Sequence, residues 1–233
     1  MKVMTFNIQH CLDYKRQKID FDLFAEKIKE YNPDFCGLNE VRGRGFLKGY
    51  TNQINKLSHK TGMNGYFGEA IRVANLAPYG NAILSKKQFK SAETIKIPDP
   101  ETKDEKVNYE TRCVIKAVVE EKGKDIIFLV THMGLAKGER KSAVKTICEI
   151  ADNTDLPIIL MGDFNACPDE DTLKPLYERF TDTLENENVK TFPSDNPEIK
   201  IDYIFYRGLE CKNTKVINEV VSDHLPIITE VIV

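Results

Sequence analysis

Ile126-Ile127-Phe128-Leu129-Val130 is apolar at five successive positions and runs into Thr131-His132. A strand turns alternate side chains to opposite faces of its sheet, so a strand apolar throughout must be covered on both sides. The same short, β-branched and aromatic character marks residues 3–8, 35–38, 81–84, 114–119, 158–161, 201–206 and 225–233 as strands. Helical spacing is confined to three places. Phe21, Phe24, Ile28 and Tyr31 share a face that Asn32-Pro33 ends, Ile54 and Leu57 mark a shorter helix stopping at Gly62, and Ala143, Val144, Ile147, Cys148 and Ala151 form a third stripe. Residues 98–106 and 186–196 are polar and read as exposed loops. No linker, repeat or change of composition divides the 233 residues, which predicts a single sheet-rich α/β domain over 1–233.

Charge narrows the function. Thirty-three basic against 36 acidic residues leave a net −3, without the basic excess that drives sequence-independent binding of duplex nucleic acid. No apolar run reaches the roughly 20 residues of a membrane span, and Met1–Asn7 lacks the apolar stretch of a signal peptide, so a cytoplasmic protein is expected. The six cysteines are scattered without a Cys-x-x-Cys pair and read as reduced thiols rather than disulfides or zinc ligands.

Five apolar strands run directly into polar signatures: Phe6-Asn7-Ile8, Leu38-Asn39-Glu40, Thr131-His132-Met133, Gly162-Asp163-Phe164-Asn165, and Ser222-Asp223-His224 just before the last strand. Strand ends are where α/β folds assemble sites, because a rigid sheet aims side chains at one rim. Each signature alone has an ordinary explanation, as a turn, a cap or a solvated residue. Asp202 differs, lying inside Ile201-Asp202-Tyr203-Ile204-Phe205 among apolar neighbours. A carboxylate there needs a charged or donor partner, and histidine is the natural one. His10 and His59 read as surface positions.

That set of motifs, in that order, resembles the endonuclease/exonuclease/phosphatase superfamily, the deoxyribonuclease-I-like phosphoesterases. Gly162-Asp163-Phe164-Asn165 and Ser222-Asp223-His224 are the most specific parts, with Asp202-Tyr203-Ile204-Phe205, Tyr79-Gly80-Asn81 and Glu110-Thr111-Arg112 in support. The resemblance implies a four-layer α-β-β-α sandwich of two packed mixed sheets. It implies a Mg²⁺ ion, with Mn²⁺ as a substitute, on Glu40, Asn7 and Asp223, a donor set suited to a hard cation. It further implies in-line attack of water on phosphorus, with His224 as general base or cationic stabiliser and Asp202 orienting it. Asp163 would bind or activate the water, Asn165 would hold the water or a phosphoryl oxygen, and His132 and Arg112 would donate to phosphoryl oxygens. Asn39 stands where glutamine is usual in the family, which suggests fine tuning only.

The expected substrate is a soluble phosphodiester or phosphomonoester. The alternatives are a nuclease for single-stranded or damaged nucleic acid and a non-catalytic module that binds a phosphorylated ligand. No protein partner is expected. Two basic groups, Arg42, Arg44 and Lys48 after Glu40 and Lys137, Arg140, Lys141 and Lys145 after His132, would favour a polyanion if both rim the cleft.

Overall fold

A computed structural model describes residues 1–103, 105–185 and 187–233. Asp104 and Asn186, in the two expected loops, lie outside the described residues. The first half of the chain holds β1 (Lys2–Asn7), β2 (Leu12–Asp13), β3 (Lys18–Ile19), α1 (Phe21–Tyr31), β4 (Phe35–Arg42), α2 (Gln53–Thr61), β5 (Asn64–Val73), β6 (Ala77–Ser85), β7 (Ser91–Lys96) and β8 (Cys113–Glu121). There follow β9 (Lys124–His132), α3 (Lys137–Asp152), β10 (Ile158–Asp163), α4 (Lys174–Tyr177), β11 (Thr181–Asp182), β12 (Asp202–Arg207), β13 (Glu210–Val216) and β14 (Ile227–Ile232).

The helices end as the sequence predicts. Asp20 caps α1 by accepting Leu23 N–H at 3.0 Å, and Asn32 closes it in a left-handed conformation ahead of Pro33. Asn52 and Gly62 do the same for α2.

Two six-stranded sheets carry the architecture, in the orders β13-β14-β1-β4-β6-β5 and β11-β12-β10-β9-β8-β7. They are built alike. In each, the two central strands are parallel (β1 with β4, β9 with β10) and every other neighbour is antiparallel. Alternation along the strands then makes three cores. Met4, Phe6, Cys36 and Leu38 of the first sheet pack on Phe24 and Ile28 of α1 and Leu57 of α2. Ile127, Leu129, Ile158 and Leu160 of the second sheet pack on Val144 and Ile147 of α3 and Leu176 of α4. Val3, Phe35 and Ile83 face Phe128, Val130, Ile159 and Met161 between the sheets, where Phe35 stacks on Phe128 with centroids 4.2 Å apart.

The result is the expected four-layer sandwich, and Ile126–Val130 is covered on both faces. Besides the two-residue strands β2, β3 and β11, the strands β5, β7 and β13 were not expected. The latter three are all sheet edges, and the exposed positions of β7 and β13 include charged residues. Edges of that kind resist pairing with other chains, and the polarity that protects them hides them from a hydrophobic pattern. The six cysteines are all free. Among the described residues no helix is long and apolar enough to cross a membrane.

Candidate active site

The carboxyl ends of the two parallel pairs meet on one side of the sandwich. In the second sheet the register places His132, Asp163 and Asp202 side by side on β9, β10 and β12. In the first, Asn7 of β1 lies level with Asn39 of β4. A cleft of about 460 Å³ opens there, lined by Glu40, Arg112, His132, Asp163, Asn165, Asp223 and His224. Asn7 and Asp202 are fully buried behind this lining. All nine site residues expected from the sequence therefore gather in one place, seven on the cleft wall and two behind it.

Backbone irregularities set the aim of these groups. Leu38 and Val41 both face the helices although three residues apart, so β4 contains one extra residue, and the pairing with β6 shifts between them. That residue is Glu40, whose φ of 60° is left-handed. Gly162 has φ 144°, and a Cβ there would stand 1.8 Å from Thr131 O, so the glycine of Gly-Asp-Phe-Asn is a steric requirement. Asn165 follows at φ 48° and returns its backbone N–H to Asp163 Oδ1 at 2.9 Å.

His224 is held between carboxylates. Its Nδ1 lies 2.9 Å from Asp202 Oδ2 and its Nε2 lies 3.6 Å from Asp163 Oδ2. Burial alone would depress its pKa, yet Asp202 and Asp163 outweigh burial and raise it to about 10. His132 goes the other way. Burial, then Arg112 and His224, drive it well below the ordinary value, so the ring is neutral. Asn165 Nδ2 sits 3.1 Å from His132 Nε2 and donates to Met133 O at 2.9 Å, which leaves the ring proton on Nδ1. Asp163 is raised to about 7, by burial first and by Asp202, against the opposing pull of His224. Asn7 Nδ2 donates to Asp163 Oδ2 at 3.0 Å and to Glu40 Oε1 at 3.2 Å, joining the two sheets' carboxylates.

Glu40 is also raised, by burial and then by Asp223, while Asn7 and the Tyr79 hydroxyl favour its charged form. Among the described residues neither Glu40 nor Asp223 has a basic partner within 4.0 Å, the histidines contacting Asp163 and Asp202 instead. Two repelling carboxylates in a cleft, all oxygen donors, fit a divalent cation. Asn7 fits less directly, because its Oδ1 accepts Gln9 N–H at 3.1 Å and the amide would have to turn to offer oxygen. Asp163, Asp202 and His224 also lie close enough to share an ion. There the imidazolium already supplies the positive charge.

The sequence left several roles unassigned. Asn39 is fully buried between the sheets, where its Nδ2 donates to Asn81 Oδ1 at 2.9 Å and Thr131 O at 2.8 Å and its Oδ1 accepts Asp163 N–H at 3.0 Å. Tyr79 faces Glu40, and His10, expected at the surface, lines the cleft, whereas His59 is exposed on α2. Of the basic groups, Arg42 reaches the cleft, but Lys137, Lys141 and Lys145 line a separate groove along α3. Arg140 is bound to Glu170 through two nitrogens, at 2.9 and 3.1 Å.

The sequence model of the Endonuclease/Exonuclease/phosphatase family matches residues 4–224. No curated protein matches the chain. Among solved structures, an endonuclease/exonuclease/phosphatase family protein from Leptotrichia buccalis C-1013-b is 21% identical at a TM-score of 0.80, with 100% of both chains covered. A mannosyl-6-phosphatase from Bacteroides thetaiotaomicron VPI-5482 is 17% identical at 0.78, again over 100% of both chains. The human Nocturnin catalytic domain is 18% identical at 0.73, over 99% of this chain and 93% of that one.

Proposed function

From the premise that this chain belongs to the endonuclease/exonuclease/phosphatase family, a family of phosphoesterases, we propose that it is a divalent-metal-dependent hydrolase of a small organic phosphate ester. The observation that carries the reading is the facing of two rims: the Asp163–His224–Asp202 cluster on one sheet's side and the Glu40–Asp223 pair on the other. Glu40 and Asp223 would hold Mg²⁺ or Mn²⁺, with Asn7 beside them, and the ion when bound would neutralise phosphoryl charge and steady the leaving oxygen.

The protein's own groups divide the remaining work. Asp163, with a pKa near the working range, takes the proton of the attacking water, oriented by Asn7 and by the Asn165 backbone. His224 stays an imidazolium, charged by Asp202 and Asp163, and donates to the phosphoryl oxygen where charge accumulates. Arg112 serves the same oxygens: its Nε is buried without a partner, while Nη2 is held by Glu110 at 3.1 Å. His132, neutral, positions Asn165. Residues 1–233 act as one domain, since each sheet supplies half of the constellation.

A small substrate is favoured over a nucleic-acid strand because the lysines after His132 lie off the cleft and the net charge is −3. A mannosyl-6-phosphatase is among the neighbours in fold. Six free thiols suit a reducing compartment, the cytoplasm. The test is hydrolysis of an aryl phosphomonoester and an aryl phosphodiester with Mg²⁺, Mn²⁺ or EDTA. Turnover should require metal and fall by about 10²–10⁴ in His224→Ala. Undiminished turnover in that variant would place the chemistry elsewhere.

A further inference from the structure

One wall of the cleft, carrying His10, Arg42 and Tyr50, has no part in the chemistry above. It is built with care. Gln9, His10 and Cys11 have φ of 41°, 50° and 63°, three successive L-residues in the left-handed region, which the chain adopts only where surrounding contacts enforce it. The enforcing group is Gln53 of α2, fully buried. Its Nε2 donates to His10 O and its Oε1 accepts Arg42 N–H, both at 2.8 Å, so one side chain fixes both residues.

The Arg42 guanidinium lies over the Tyr50 ring, 4.9 Å from its centroid. Its Nη1 sits against Gly49, φ 86°, where a Cβ would come within 3.4 Å. Arg72, Arg140 and Arg179 each grip a carboxylate through two nitrogens. Arg42 has none within 4.0 Å among the described residues, and its Nε is buried without a hydrogen-bond partner. A guanidinium fixed against an aromatic face with its donors unused is an oxyanion receptor. Arg42 also shares the cleft side with Glu40, because Val41 between them points into the helix-side core.

We propose that Arg42 and His10 form a second oxyanion subsite, so that the ester hydrolysed beside Glu40 and Asp163 carries another phosphate or carboxylate at a fixed spacing from the scissile phosphorus. This rests on the phosphoesterase reading, and binding tests it without turnover. Alkane bisphosphonates of three to six carbons, whose C–P bonds do not hydrolyse, are compared with hexylphosphonate by titration calorimetry in Mg²⁺. One chain length should bind about ten- to hundredfold tighter than hexylphosphonate, and Arg42→Gln should remove most of that advantage. Binding of hexylphosphonate by the variant reports that it is folded.

Phosphonoalkanoates of matched length give the same result if the second group is a carboxylate, and competition by tetrathymidylate would mark it as the neighbouring phosphate of a strand. Equal affinity for one and two anionic groups, or an advantage that ignores chain length or survives Arg42→Gln, overturns the subsite. Tight bisphosphonate binding by a protein that hydrolyses no ester would overturn the catalytic reading alone.

Discussion

Of the chain's four histidines, three line one cleft, yet what faces each ring drives them apart. Two carboxylates raise His224 to about 10, burial and Arg112 push His132 well down, and burial with Arg42 takes His10 to about 4. The sign follows from the partner: an anion stabilises the imidazolium, and a cation or a dry wall does not. Asp202→Asn should therefore lower the His224 pKa, since it deletes the main raising contact and leaves burial in place. NMR titration of the imidazole would read this, and an unmoved midpoint would refute Asp202 as the charging group. In the same variant kcat should drop by about 10²–10⁴. Glu40, Asp163 and His224 were legible because polar residues closing apolar strands are conspicuous. His10 and Gln53 were not, because their roles depend on where α2 packs, which no local pattern encodes.

The bulged strand β4 decides the site's shape. Its extra residue lets Glu40 leave the ladder for the cleft while Asn39 turns inward and bonds across to the second sheet. An asparagine in place of the family's usual glutamine looked like tuning, yet its amide is the polar bolt between the layers. Asn39→Ala would strand Asp163 N–H, Asn81 Oδ1 and Thr131 O in a buried gap. We expect a loss of about 2–4 kcal/mol in urea unfolding, with kcat reduced through Asp163. A loss below about 0.5 kcal/mol would mean that water takes over those bonds. Strands were readable in proportion to their burial. The inner strands of both sheets carry near-continuous apolar runs, whereas among the edges β7 and β13 are polar, β11 is two residues long, and β5 is broken by Gly65, Gly68 and Glu69, so that only tertiary pairing reveals them.

At the scale of the molecule, the candidate site sits where two sheets of the same plan bring their parallel seams together. Charge there is unbalanced, with Glu40 and Asp223 repelling each other. Mg²⁺ should relieve that repulsion and stabilise the folded state by about 2.7 kcal/mol at a hundredfold excess over its Kd. For a chain of this size that is a rise in Tm of about 5–10 °C, reversed by EDTA and absent in Glu40→Gln. A melting curve indifferent to Mg²⁺ would remove those carboxylates as a cation site.

The first sheet is also closed by its most distant parts, β1 lying between β4 and β14. Asp223 and His224 sit in the segment leading into β14, so they take their places only when that strand docks beside β1. On the chemistry proposed above, a ribosome paused anywhere before residue 222 thus carries a chain that lacks Asp223 and the imidazolium and would be chemically silent however much of it has folded. The proposed hydrolysis would begin as a property of the closed sheet, and its onset during synthesis would time the docking of the last strand.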